Sequence, residues 1–156
     1  MLDILITNAT LPDGRTGQSI AIQGDRIVEV GPSVSGDAGR TIDAGGCLVT
    51  PPFIDPHFHL DSTLSLGEPR LNQSGTLLEG IQLWGELKPH LTGDAIKQRV
   101  RELARWSIAK GTLAIRSHVD TSDPRMINVD ALIEVREELK PYIDIQLVAF
   151  PQDGFF

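Results

Sequence analysis

Hydrophobic positions along the chain recur with two different rhythms, and the change between them falls near residue 50. In the first part the apolar runs are short and broken by turn residues. Ile4-Leu5-Ile6 is one such run, and Leu11-Pro12-Asp13-Gly14 supplies a turn after it. Segments 19–23 and 26–30 flank the pair Gly24-Asp25, and two strands joined by a two-residue turn with Gly first predict a hairpin. An exposed loop is expected over 33–39. Thr41-Ile42-Asp43 and Cys47-Leu48-Val49 read as further short strands around Gly45-Gly46. Residues 1–50 are therefore predicted to form a small all-β unit.

After Pro51-Pro52, strand and helix alternate. Phe53-Ile54-Asp55-Pro56-His57-Phe58-His59 is short, extended and constrained by its prolines. The polar stretch over 61–74 has the size of a loop that serves binding or covers a site. A first helix is predicted over 76–86. Thr92 caps a second, with Ile96, Val100, Leu103, Ala104 and Ile108 at helical spacing and Gly111 ending it. A strand follows over 112–119. Asp123-Pro124, a capping residue and a first-turn proline, then opens a helix with Met126, Val129, Leu132 and Ile133 on one face. Pro141 stops it, and 143–150 is the third strand. Alternation of this kind predicts parallel βαβ units, which close into a barrel or form an open sheet; periodicity leaves both open.

Composition narrows the class. The chain has 156 residues, and its 40% hydrophobic share plus 15 glycines is that of a soluble globular domain. No apolar run approaches the ~18 residues of a membrane span. The N-terminus shows no basic segment or small-residue cleavage site, so secretion is not expected. The single Cys47 has no internal partner, which fits a reducing, cytoplasmic setting. A net charge of -7 argues against nucleic acid as a partner.

Candidate chemistry concentrates where strands end. His57 and His59, two apart on an extended segment, leave the same face, within reach of one ion. Neutral imidazole suits zinc or iron, although two surface histidines satisfy the same pattern. A catalytic zinc site normally needs three protein ligands and an open position, so two are not enough. Asp55 shares their facing parity and is a candidate to orient a ligand histidine, or is an ordinary polar turn residue. His118, in Arg116-Ser117-His118-Val119-Asp120, occupies the corresponding place one βα unit later. It is a candidate third ligand, ligand-orienting group, substrate contact or structural histidine. His90 is expected to be solvated and Cys47 structural. Gln152, after the third strand, both donates and accepts hydrogen bonds, which suits the amide-like edge of a planar substrate.

The run Leu48-Val49-Thr50-Pro51-Pro52-Phe53-Ile54-Asp55-Pro56-His57-Phe58-His59-Leu60-Asp61 resembles the first metal motif of the amidohydrolase superfamily. Ile22-Gln23-Gly24-Asp25-Arg26-Ile27 and Ile42-Asp43-Ala44 resemble that superfamily's N-terminal β-sandwich portion. More narrowly, four segments resemble the N-terminal portion of the bacterial cytosine deaminases. They are Asn72-Gln73-Ser74-Gly75-Thr76-Leu77, Arg116-Ser117-His118-Val119-Asp120, Ile143-Asp144-Ile145-Gln146 and Val148-Ala149-Phe150-Pro151-Gln152, in family order along nearly the whole chain. The fold implied is α/β: strands of a small β-sandwich over 1–50, then the first ~3 βα units of a (β/α)8 TIM-like barrel over 51–156.

The activity implied by the resemblance is hydrolysis of a C–N bond in cytosine or a similar cyclic amidine. One divalent metal ion, zinc or iron, activates a water that attacks the ring carbon bearing the exocyclic amine, and ammonia leaves. His57 and His59 match the first two metal ligands, Gln152 the residue that reads the pyrimidine's amide edge, and Leu77 an apolar pocket wall. His118 matches a family position that carries no ligand role over. The partner implied is a small nucleobase-like substrate of pyrimidine metabolism, and superfamily barrels are frequently homo-oligomers. Family members place a third ligand histidine, a glutamate proton shuttle, another histidine and a ligand aspartate on later strands, beyond Phe156. A (β/α)8 barrel alone takes ~250 residues. The chain is therefore expected to be an N-terminal portion, inactive by itself, completed by the rest of the barrel or a partner chain. A triazine or creatinine-type aminohydrolase and a non-catalytic α/β binding or interaction fragment are the alternatives.

Overall fold

The computed structural model describes residues 1–154. Pro51 and Pro52, neither with an N–H to give to a sheet, lie where the chain divides into two units, Met1–Pro51 and Pro52–Phe156.

The first unit is a four-stranded sheet of β1 (Leu2–Ala9), β2 (Gln18–Gln23), β3 (Arg26–Gly31) and β4 (Ala38–Asp43), in the order β3-β2-β1-β4. β2 runs antiparallel to β1 and β3, whereas β4 runs parallel to β1. The hairpin at Gly24-Asp25 forms as its sequence requires. Gln23 pairs with Arg26, and Gly24 adopts φ +60° while donating its N–H to Asp3 Oδ2 at 2.6 Å. That left-handed conformation costs glycine nothing sterically. Leu5, Ala9, Ile20 and Ala21 are the buried apolar positions of this unit.

Two local expectations change. The loop over 33–39 gives way at Ala38 to β4, because Ala38 registers against Leu2 of β1. Cys47-Leu48-Val49 is not a strand. Gly45 and Gly46 both take positive φ, the Cys47 N–H closes a turn on the Ala44 carbonyl, and only an isolated bridge from Thr10 to Leu48 remains. Cys47 is free and exposed rather than structural.

The second unit carries β5 (Phe53–Phe58), α1 (Leu77–Leu87), a 3-10 turn (Lys88–His90), α2 (Gly93–Ala109), β6 (Thr112–Asp120), α3 (Ile127–Leu139) and β7 (Asp144–Phe150). The strands form a parallel sheet in the order β5-β6-β7. Among the described residues the fold is thus α/β, with two sheets and three helices, as the strand–helix alternation predicts. Among the described residues no helix is long and apolar enough to cross a membrane.

Capping residues set the helix boundaries. Thr76 Oγ1 accepts the Glu79 N–H and Thr92 Oγ1 the Ala95 N–H, each at 3.3 Å, satisfying donors that the first turn leaves unpaired. Gly111, at φ +86°, reverses the chain after α2, and a Cβ there would lie 3.7 Å from the Phe53 ring. The third helix begins later than Asp123-Pro124 suggests. The Asp123 carboxylate is taken by the Arg125 guanidinium, which draws 123–126 into a turn, and Met126, at φ 54°, precedes the first helical residue, Ile127.

The core lies between the sheet and α2 and α3. Ile96, Val100 and Ala104 of α2 and Ala131, Leu132 and Val135 of α3 are buried with Ile115, Val119 and Ile145 of the strands. Each large apolar side chain removed from water here contributes about 1.5–3 kcal/mol. Because this side of β6 is sealed by its odd-numbered residues, Arg116, His118 and Asp120 leave from the other face.

Candidate functional site

Three parallel strands end side by side, so the residues at their C-terminal ends are brought together. β5 delivers His57 and, just past its end, His59; β6 delivers His118 and Asp120; β7 leads from Phe150 into Pro151, Gln152 and Asp153. Open α/β sheets and barrels alike place ligands at this edge.

The histidines gather there. The ring centroids of His57 and His59 are 5.4 Å apart, and His57 stacks on His118 at 4.1 Å with planes 23° apart. His59 and His118 are 5.9 Å apart, and His59 meets Phe150 edge-on at 5.3 Å. His57 is exposed, while His59 and His118 are half-buried. Nδ1 of His118 is buried without a hydrogen-bond partner. Burial, and then the neighbouring His57 and His59, hold His118 below the usual histidine range. Among the described residues, no three His, Cys, Asp or Glu side chains converge closely enough to enclose an ion. His57 and His59 remain candidates for two ligands of a metal centre that the described residues do not complete.

Of the two readings open for Asp55, its contacts match the polar backbone-bonding one. Its Oδ1 accepts the backbone N–H of His57 at 3.1 Å, so it fixes the strand end that carries the ligand candidate rather than an imidazole ring.

Beside the histidines lies a cleft of about 370 Å³, walled by His59, Asp61, Leu77, Trp84, Asp120 and Gln152 among others. Three sequence candidates, His59, Leu77 and Gln152, are thus brought to one cavity; His57, His118 and Asp55 stand outside its lining. Leu77 opens α1 and is 78% exposed, so its apolar side chain is free to meet a ligand. Loop 61–76 closes one side, held by Arg70, which donates to Glu79 Oε1 at 2.7 Å and Glu86 Oε1 at 2.9 Å. His90 is exposed, as expected.

A buried polar network beneath the cleft carries no obvious sequence motif. Asp61 Oδ2 accepts the Asp120 N–H at 2.8 Å and Asn128 Nδ2 at 3.3 Å. Asp120 Oδ2 accepts Trp84 Nε1 at 2.7 Å and lies 2.9 Å from Lys88 Nζ. Its Oδ1 takes the backbone N–H and hydroxyl of Ser122 and the Gln152 N–H at 3.3 Å. Burial alone would raise the Asp120 carboxyl, but hydrogen bonds from Ser122, Lys88 and Trp84 outweigh it and hold it at about 2. Burial dominates at Asp61 and raises its carboxyl above the ordinary range. The available signal was parity: Asp61 lies two past His59 and Asp120 two past His118.

The model of the amidohydrolase family matches residues 40–156, three-quarters of the chain. The chain belongs to the amidohydrolase family. It is 36% identical to N-isopropylammelide isopropyl amidohydrolase of a Pseudomonas species over 99% of its own length and 40% of that relative's. Its fold superposes on 5-methylcytosine deaminase from Klebsiella pneumoniae, solved with 5-fluorocytosine, with a TM-score of 0.89 and 39% identity over 96% of this chain and 37% of that one. N-isopropylammelide isopropylaminohydrolase from Burkholderia multivorans matches with a TM-score of 0.80 at 30% identity, over 39% of its length. The chain thus spans about two-fifths of these amidohydrolases, and its resemblance to the cytosine deaminase branch holds at the level of structure.

Proposed function

We propose that this amidohydrolase chain carries two metal ligands and one substrate wall of a hydrolase that deaminates cytosine or a close cyclic amidine. The observation that carries the reading is the cleft itself, which brings one histidine of the pair, His59, to the same cavity as Gln152 and Leu77. A planar heterocycle needs an apolar surface for its face and a donor–acceptor pair for its amide edge. Leu77 and Trp84 supply the first and the Gln152 carboxamide the second.

His57 and His59 are the residues that would hold a divalent ion, zinc or iron by the chemistry of imidazole donors. When bound, such an ion would supply Lewis acidity toward water. The reaction adds water across the ring carbon that bears the exocyclic amine; the C–O bond forms, the C–N bond breaks and ammonia leaves. It also needs a proton shuttle that titrates near neutral pH. Two of the cleft carboxylates are already engaged. Asp120 is locked as an anion at about 2 by its donors, and Asp61 is committed to Asp120, Asn128 and Ser62. We propose that the shuttle comes from another part of the complete amidohydrolase, since the chain spans about two-fifths of the relatives it matches. The exposed, unpaired Cys47 suits a reducing compartment, and we place the protein in the cytoplasm.

A second reading has its own support. The 36% identity to N-isopropylammelide isopropyl amidohydrolase favours a triazine-type ring from which a substituted amine is hydrolysed, with the same Gln152 reading the ring's amide edge. The deciding experiment measures amine release from cytosine, 5-methylcytosine and N-isopropylammelide by the protein at its native length, before and after chelation and metal return. Ammonia from a pyrimidine supports the first reading, and isopropylamine the second. Failure of the metal-replete protein on every ring would sink both.

A further inference from the structure

Among the described residues Lys88 is the one lysine or arginine that is buried. An ammonium taken out of water is costly unless each of its three N–H groups finds an acceptor. Here each does: Asp120 Oδ2 lies at 2.9 Å, Ser122 Oγ at 3.0 Å and Asp153 Oδ2 at 2.6 Å. The partners come from separate places in the fold. Asp120 ends β6, Ser122 follows it, and Asp153 lies in the turn after β7, while Lys88 itself opens the 3-10 turn after α1. The arrangement brackets Gln152. Its own N–H is held by Asp120 Oδ1 at 3.3 Å, and the next residue is the Lys88 partner Asp153.

We propose that Lys88 is a positioning residue for Gln152. Its ammonium joins the Asp120 carboxylate, which holds the Gln152 backbone, to the carboxylate of Asp153, and so sets where the Gln152 side chain enters the cleft. The same Asp120 holds Trp84 Nε1 at 2.7 Å, so one cation also sets the spacing between the α1 wall and the β7 turn. Fold stability is a weaker account of this arrangement. The Asp153 side chain is 54% exposed, and ion pairs with one solvated partner contribute little to folding. The inference rests on Gln152 being the substrate-reading residue of the proposed function.

The test uses Asp153→Ala, which cuts one tether and leaves the buried Asp120–Lys88 pair intact, together with Asp153→Asn and Lys88→Met in the protein at its native length. Asp153→Ala is expected to raise KM for the ring substrate ~5–10-fold with kcat within ~2-fold, as loss of ground-state binding requires, and to lower the melting temperature only slightly, because water replaces the exposed carboxylate at the ammonium. Asp153→Asn, which keeps an acceptor for the ammonium, recovers part of the KM. Hydrogen–deuterium exchange of the segment 148–154 is read in parallel, and both Asp153→Ala and Lys88→Met are expected to speed exchange at the Gln152 N–H. Unchanged exchange in folded Asp153→Ala overturns the proposal, as does an unchanged KM. If the unaltered protein turns over none of the rings, the functional reading has failed, and exchange alone still decides the role of Lys88. If Lys88→Met does not fold, Asp153→Ala decides it.

Discussion

The carboxylate of Asp61 accepts the backbone N–H of Asp120 at 2.8 Å, although the two residues are 59 positions apart in the chain. This bond joins the loop after β5, the strand whose end carries the proposed ligand histidines, to the end of β6, which carries the donors and acceptors beneath the cleft. Asn128 of α3 adds its Nδ2 to the same Asp61 oxygen at 3.3 Å. Replacing Asp61 by alanine strands two buried donors, each costing about 1–3 kcal/mol. Urea unfolding should therefore show a clear loss of stability in Asp61→Ala and a smaller one in Asp61→Asn, which keeps a carbonyl acceptor. Equal stability of all three proteins would remove the network from the account of the fold.

His57 and His59 are proposed to share an ion, whereas His118 stacks on His57 with its ring centroid 4.1 Å away. Alanine at either member of the pair should abolish bound metal, measured by elemental analysis of the purified protein, and metal-dependent turnover with it. His118→Ala should retain the metal. Its effect is expected to be of the size seen when a group that only orients a ligand is lost, ~10–100-fold in activity. Loss of the ion in His118→Ala alone would move the ligand role from the pair to His118.

The parts of this arrangement visible in the sequence are those set by local chemistry. Thr92 and Gly111 mark helix ends because capping and left-handed φ depend on neighbours a few residues away. The His57 and His59 pair is legible for the same reason, since strand parity is local. The start of α3 was not legible. Asp123 has the makings of a cap, but Arg125 takes its carboxylate, a competition between side chains that spacing does not show. Lys88 and Asp120 were hidden for a different reason. Their meeting depends on β6 and β7 lying side by side and on the angle at which α1 ends, and such contacts have no sequence period.

Gln152 and Leu77 make separable predictions. Gln152→Ala removes a paired donor and acceptor from the substrate edge and should raise KM ~10–100-fold. Leu77→Ala removes only an apolar surface, so a smaller loss is expected, ~10-fold or less. Steady-state kinetics on the ring that is turned over checks both. Should Leu77 prove the larger effect, the cleft recognises the ring face rather than its edge.

The loop that walls the cleft has a built-in acid sensitivity at Glu79. In the first turn of α1, Glu79 Oε2 accepts both the backbone N–H and the hydroxyl of Ser74 at 2.6 Å, and Oε1 accepts Arg70 Nη1 at 2.7 Å. The Ser74 bonds chiefly, then the Gln73 N–H and Arg70, lower its carboxyl from 4.5 to about 2. A carboxyl lowered on folding stabilises the folded form fully above its unfolded pKa. That contribution fades as pH falls from about 4.5 through about 2. Because Arg70 and Asn72 line the cleft, protonating Glu79 should loosen loop 70–76 before the α2–α3 core opens. Stability measured against pH should therefore fall less steeply between about 4.5 and 2 in Glu79→Gln than in the unaltered protein. Other lowered carboxylates, Asp120 and Asp123 among them, are common to both proteins and cancel in the difference. Parallel pH profiles for the two would show that Glu79 does not carry the acid sensitivity.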